Sequence, residues 1–353
     1  MFSAKKHLSR RTVLRRIGAT VALPFLDAKV PAATALQETA AAGRTRLAAV
    51  ANLSLACRTI TAFKPNGDFD EEGQRLFCQR MIASKITMFP ASGGSGQGQT
   101  LTHDELSRLY KVTVAECKGK VPVHANLPNE ATAYLTIEQS KIAIAAGVDS
   151  VNIYGPAPLH GYTSNPEETL QYFDDVFSAI KHPCSIGPNF MNPIPSAQLV
   201  AQVVNKYPQI HLIMAAQMND AYYVALRDSL KRDVKINVPF FNHDSLMAGA
   251  DGVITNEASV LPKTHRLCCD LFDKRDFEGV AKITLQLERF ARHVSQFRTW
   301  HKVAMRAFKQ PGWGIRRPYL DSTEDDVKRF LAPLPGLQIP EVDELLNMRG
   351  QLN

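Results

Sequence analysis

The fold class predicted by this sequence is α/β, a TIM (β/α)8 barrel with a C-terminal helical extension, and three observations predict it. Eight short apolar runs recur between residues 58 and 255. Longer amphipathic stretches separate them, the pattern of a parallel sheet covered by helices. Eight such crossovers within roughly 200 residues is the arithmetic of a closed barrel, with an open doubly wound sheet as the alternative.

The strands are predicted over 58–62, 86–90, 121–125, 150–154, 184–188, 211–215, 235–240 and 252–255. Helices are predicted over 70–83, 103–117, 136–146, 166–181 and 196–206, each opening near an acid, Thr, Ser or Pro, the residues that cap or begin a helix. Beyond the eighth strand, 276–294 and 322–331 continue as helices with no further strand signal. The division that follows is 1–35 export signal, 36–54 alanine-rich linker, 55–262 barrel, and 263–353 last barrel helix with the extension.

A chain of 353 residues with 45% hydrophobic and 21% charged residues is ordinary globular material, which excludes wholesale disorder, collagen-like repetition and a multispanning membrane protein. The net charge of +7 would suggest a polyanionic partner if it were spread over the chain. It is not: residues 1–35 hold seven basic residues and one acid, and the remainder nets +1. No aromatic-basic stripe or nucleic-acid module is visible, so nucleic acid is not an expected partner.

Those first residues read as an address. Ser9-Arg10-Arg11 precedes a mildly apolar run from Ile17 to Leu26 and then small residues, Ala33, Thr34 and Ala35. The run is about half the roughly 20 residues that span a membrane. The order resembles a bacterial twin-arginine signal, which predicts an exported, periplasmic or otherwise extracytoplasmic protein. Six cysteines (57, 78, 117, 184, 268, 269) lack the C-x-x-C pairs of a zinc site and are expected as buried thiols, although an even count in an oxidising compartment permits disulfides.

Several pieces, in order, resemble the dihydrodipicolinate synthase and N-acetylneuraminate lyase family of DapA-like pyruvate aldolases. They are Thr61-Ala62-Phe63, Gly67-Asp68-Phe69-Asp70, Gly93-Gly94-Ser95-Gly96-Gln97, Thr100 to Glu105, Val121-Pro122-Val123, Ala146 to Asp149, Gly249 to Ile254 and Gly314 to Pro318. The resemblance implies a lyase acting on a small 2-oxo acid or sugar acid, with no cofactor, as a homo-oligomer. In the family the glycine-rich loop binds the keto-acid carboxylate, with Ser95 here at one threonine position, Gly94 at the other and Gln97 at the glutamate. Read from the residues alone, glycines after a strand let backbone amides approach an anion, and a flexible solvent loop is the alternative.

The resemblance also implies a Schiff-base lysine on the sixth strand. Aligned through Tyr207-Pro208-Gln209-Ile210, that position is Met214, and no lysine occurs between Lys206 and Lys231. The implied fifth-strand tyrosine falls at Asn189 or Phe190, and the implied arginine at Ile194 or Pro195. The inherited mechanism is therefore expected to be altered or lost. Lys235 opens its strand and Lys85 precedes its own, both at the end of a barrel away from its chemistry.

Polar residues at the predicted carboxyl ends of the strands are Asn126, Tyr154, Asn189, His243 and Glu257, joined by His124, His160, Tyr162, Asn242, Asp244 and Asn256. With Gly94, Ser95 and Gln97, the first five form the expected small-molecule site. Two readings compete for part of it: His124, His243, Asp244 and Glu257 as ligands of a divalent metal, or a metal-free polar pocket with helix caps. Two functions stay open, a diverged lyase working without a lysine imine and a catalytically silent barrel that binds a small molecule or partner.

Overall fold

A computed structural model describes residues 53–188, 194–215, 218–240 and 243–351. The export signal, nearly all of the linker, Asn189, Phe190 and Asn242 lie outside the described residues.

Eight parallel strands form one sheet: β1 (Ser54–Arg58), β2 (Thr87–Phe89), β3 (His124–Asn126), β4 (Ser150–Tyr154), β5 (Cys184–Gly187), β6 (Ile210–Met214), β7 (Lys235–Pro239) and β8 (Gly252–Thr255). Their order is β2-β1-β8-β7-β6-β5-β4-β3. A parallel bridge from Met88 to Val123 joins the two outer strands, so the sheet curls into a barrel.

Each strand is followed by a helix: α1 (Glu71–Ala83), α2 (His103–Cys117), α3 (Ala133–Ala145), α4 (Pro166–Ala179), α5 (Ala197–Lys206), α6 (Asp220–Ser229), α7 (His243–Met247) and α8 (Pro262–Asp273). The starts follow local chemistry. The Asp70 carboxylate accepts from the Gly73 amide, Ser196 from Leu199, and Thr102 and Asn165 close reciprocal capping boxes with Glu105 and Glu168. The extension adds α9 (Phe277–Val294), α10 (Trp300–Ala307), α11 (Glu324–Leu331) and α12 (Pro340–Gln351).

The extension is tied down by specific contacts. No side chain of its own caps the start of α8, and Glu341 of α12 does so instead, accepting from the Lys263 and Thr264 amides at 3.1 and 2.7 Å. Phe330 of α11 is fully buried with Phe290 of α9 and Phe308 around it. Arg316 reaches back to the Gly67 carbonyl at 2.9 Å, the Thr100 carbonyl and both oxygens of Glu105, fixing the tail against the start of α2.

Most of the core lies between strands and helices. A second, smaller cluster of Ala56, Phe89, Leu212, Met214 and Ile254 fills the barrel interior. The six cysteines are free and buried, as thiols within strands and helices were expected to be.

The largest difference from expectation is β1. The sequence predicts a strand over 58–62, whereas the paired strand is Ser54–Arg58. Thr59 to Ala62 are as buried as strand residues, which is why they look like one, but their polar groups serve other partners. The Thr61 hydroxyl donates to the Gly96 carbonyl at 2.6 Å, the Ala62 amide to the Gln74 side chain at 3.0 Å, and the Thr61 carbonyl accepts from Lys302. The consequence is functional: Arg58 ends the strand and stands at the mouth, where the sequence had placed it at the base.

Candidate functional site

Four neighbouring strands, β5, β4, β3 and β2, are linked by a chain of side-chain hydrogen bonds along one side of the barrel. Ser185 of β5 donates to Asn152 Oδ1 at 2.8 Å, and Asn152 Nδ2 donates to Asn126 Oδ1 at 2.9 Å. The Tyr154 hydroxyl donates to the same Asn126 oxygen at 2.8 Å, while Asn126 Nδ2 donates to the Phe89 carbonyl at 3.1 Å. Asn126, Asn152 and Ser185 are each 0% exposed, so every bond in this chain forms away from water and holds the geometry firmly. Asn126, expected to touch substrate, is instead the hub that positions Tyr154.

The Tyr154 ring lies against Gly187. A Cβ there would come within 2.6 Å of the ring, so only glycine admits the tyrosine in this orientation. Burial pushes the Tyr154 phenol up to about 12, with the nearby Arg58 charge opposing the rise. The hydroxyl is therefore a proton donor at neutral pH and not a base.

Arg58 supplies positive charge at the mouth. Its Nε donates to Asn256 Oδ1 at 2.9 Å, which orients the guanidinium from the β8 side. Its carbonyl accepts from the Ser95 hydroxyl at 2.7 Å, and Ser95 also bonds Ser92 at 2.9 Å. Met214, at the end of β6, is 3% exposed and packs with Ala56, Phe89, Leu212 and Ile254.

The glycine-rich loop is a built structure. The Gly96 amide donates to the Ser92 hydroxyl at 3.1 Å, the Gly98 amide to the Ser92 carbonyl at 3.1 Å and the Gln97 amide to Gly94 at 3.3 Å. These amides point into the loop, in contrast to the outward cradle expected of them. A Cβ at Gly98 would overlap the Ala91 carbonyl oxygen at 2.0 Å, which explains that glycine by packing. Gly94 is exposed, and Gln97 adopts a left-handed backbone with its Oε1 buried and without a hydrogen-bond partner. The Thr59 hydroxyl is likewise buried and unpartnered.

The four candidate metal ligands do not converge. His124 opens β3, in register with Ser150, the first residue of β4, and so lies at the amino-terminal end of the barrel. The reading of 121–125 as a strand had carried it to the mouth. His243 points toward α9, with Nε2 3.4 Å from the Thr284 hydroxyl, and Asp244 is exposed. Glu257 turns toward Thr255, accepting from its hydroxyl at 2.6 Å and from the Asn256 amide at 3.1 Å. Among the described residues no three His, Cys, Asp or Glu side chains are grouped to hold a metal. His160 and Tyr162 are exposed loop residues.

Glu257 has companions that sequence reasoning missed. Its carboxylate acts on His265 of α8 and His301 of α10; burial raises its pKa, but the Thr255 hydrogen bond and the two imidazoles leave it below the usual range. Burial holds His265 down to about 4 and His301 to about 3, against the pull of Glu257. The Nε2 atoms of both rings are buried and unpartnered. Lys302, next to His301 in sequence, is buried with Nζ 2.6 Å from the Thr61 carbonyl and 2.7 Å from that of Gly312. The only signal available beforehand was that of polar residues inside amphipathic helices; their common destination is set by the fold.

Residues 52–332 match the dihydrodipicolinate synthetase family. The 4-hydroxy-tetrahydrodipicolinate synthase of Rhodopseudomonas palustris (strain BisA53) is 29% identical over 236 residues, covering 64% of this chain and 75% of that protein. That of Koribacter versatilis (strain Ellin345) is 24% identical over 220 residues, 58% of this chain and 68% of that protein. Among solved structures, dihydrodipicolinate synthase from Aquifex aeolicus superposes with a TM-score of 0.73 at 15% identity, over 82% of this chain and 99% of its own. At that identity the likeness is one of fold. With the family pattern spanning the barrel and reaching into the extension, the chain belongs to the dihydrodipicolinate synthetase family.

Proposed function

We propose that the barrel mouth binds a small 2-oxo acid or sugar acid and that lyase-type chemistry on it, aldol addition or cleavage, proceeds without a lysine imine. The observation that supports this reading is Met214, a thioether packed in an apolar cluster at the end of β6, where the resemblance implies the imine lysine. Lys302, the buried lysine among the described residues, is held by two backbone carbonyls.

An enolate formed from an oxo acid without an imine needs a base for the methyl proton, a role left here to solvent hydroxide or buffer anion, and positive charge or donors near its oxygens. Arg58 supplies positive charge at the mouth and suits a carboxylate through its planar fork of donors; Tyr154, whose one proton is given to Asn126, serves by keeping the wall of the mouth in place. The apolar surroundings of Met214 favour a second reading, a barrel that binds the acid without turning it over.

Pyruvate in deuterated buffer separates these readings. Exchange of the methyl protons, followed by proton NMR, is expected in the parent protein and strongly reduced in Arg58→Gln. Binding without exchange selects the silent barrel. A borohydride-stable pyruvate adduct on any lysine, seen by intact mass, overturns the imine-free route, and absence of pyruvate and sugar-acid binding overturns the site.

The same proposal includes export by the twin-arginine route. Replacing Arg10 and Arg11 by lysine is expected to retain the protein in the cytoplasm, and unchanged fractionation overturns it. A homo-oligomer is supported by Tyr134, Leu159 and Tyr162, which are 70%, 58% and 79% exposed. Light scattering at a single-chain mass of 39.1 kDa, or less if the signal is removed, refutes it.

A further inference from the structure

The amino-terminal end of the barrel, opposite the mouth, carries a concavity whose largely apolar wall is interrupted by charged and imidazole side chains. It has a volume of about 660 Å³ and is lined by His124, His211, Asp149, Lys181 and Gln209, with prolines at its rim. That volume suits a small organic ligand, since ligand pockets run from roughly 300 to 1,000 Å³.

Two imidazoles form its floor. The rings of His124 and His211 stand edge to face at 5.5 Å, and Phe89 backs His124 at 4.9 Å. His124 is 8% exposed. The Nδ1 atoms of both histidines are buried and have no hydrogen-bond partner, an arrangement that costs stability unless a ligand supplies one.

The charges around the floor decide what that ligand is. Lys235 opens β7 and acts on both imidazoles, and Lys181 stands on the rim. Arg232 also acts on His211, and its guanidinium is fixed by the carbonyls of Val204, Tyr207 and Ile210. The opposing carboxylate, Asp149, is engaged by the Val123 amide at 2.8 Å. Three positive groups against one occupied carboxylate disfavour a metal cation and favour an anion.

We propose that this end of the barrel is a second binding site, for a small oxyanion held by the imidazoles of His124 and His211 within the field of Lys181, Lys235 and Arg232. Burial, first, and the neighbouring positive charges hold His124 down to about 3, so its ring is neutral when the site is empty; burial lowers His211 as well, against hydrogen bonds to the Gln209 and Cys184 backbone. A bound anion favours the imidazolium, so binding takes up protons and tightens as pH falls.

The test is calorimetric titration of the full chain with sulfate near pH 5.5 and near pH 8, in buffers of different ionisation heat, with malonate as a parallel arm. Saturable binding with proton uptake is expected, tighter at the lower pH by about tenfold for each unit of imidazole shift. Sulfate binding alone assigns an inorganic oxyanion, and preference for malonate assigns an organic acid. His211→Asn, at a half-buried position, is expected to weaken binding at least about tenfold, equivalent to loss of a charge-assisted hydrogen bond. Arg58→Gln, at the opposite end, is expected to remove any malonate heat that belongs to the mouth and to leave the heat lost on His211→Asn in place, which separates this site from the mouth. No saturable heat with either anion overturns the proposal, as does affinity that ignores both pH and His211→Asn.

Discussion

Gly187→Ala tests whether the mouth is built as described. The added Cβ would stand 2.6 Å from Tyr154 Cε1, 2.8 Å from Cδ1 and 3.3 Å from Asn152 Nδ2. Carbon atoms in contact prefer about 3.5–4.0 Å, so the ring must retreat by about 1 Å. It cannot do so freely, because Tyr154 is buried and its hydroxyl is anchored to Asn126 at 2.8 Å. Overpacking costs about 1–3 kcal/mol, and a strained or broken hydrogen bond adds about 1 kcal/mol. Reduced chain entropy in the unfolded state returns about 0.4–1 kcal/mol. The net expectation is a loss of about 2 kcal/mol, read as a lower denaturant midpoint. In a Tyr154→Ala background the same change should cost less by about 1 kcal/mol or more, since the clash is gone. A cost below about 0.5 kcal/mol, or an equal cost in both backgrounds, refutes the packing argument.

Three further perturbations have defined signs. Burial holds the Lys302 ammonium down to about 7, so between about pH 7 and 10 the unfolded chain binds more protons and stability rises with pH. The parent should gain roughly 2 kcal/mol or more over Lys302→Met across that window, and a constant difference between the two denaturation curves refutes it. Glu105 is held down to about 2, chiefly by its Arg316 hydrogen bond, so its stabilisation is complete above about pH 4.5 and is lost as pH falls toward 2. Arg316→Met should therefore flatten the acid limb of stability by about 2 kcal/mol, and an unchanged limb counts against the pair. Glu257→Gln removes the carboxylate that opposes burial at His265 and His301, so both imidazoles should titrate at lower pH by NMR; a rise in either refutes the coupling.

Periodicity located elements well where burial and pairing coincide. β4 and β8 fall at 150–154 and 252–255 as expected, and α2 at 103–117, because a capping box and an apolar face mark it locally. β1 slipped by four residues because Ile60 to Ala62 are buried without being paired to a neighbouring strand, and burial is what an apolar run reports. The slip hid Arg58. His124 was read at the mouth for a similar reason: a predicted strand over 121–125 ends where the observed β3 begins.

The sequence by itself determined the barrel, the helical extension, the family, and the concentration of positive charge ahead of residue 35, since each depends on the order and spacing of residue types along the chain. It also placed a methionine at the end of β6. Only the tertiary structure decided the direction in which polar side chains point. It turned Asn126 inward as a hub, brought His265 and His301 from separate helices to Glu257, and set His124 beside His211 at the opposite pole. The physical reason is that strand register and helix docking fix these meetings across 8 to 87 residues, and no local propensity encodes them.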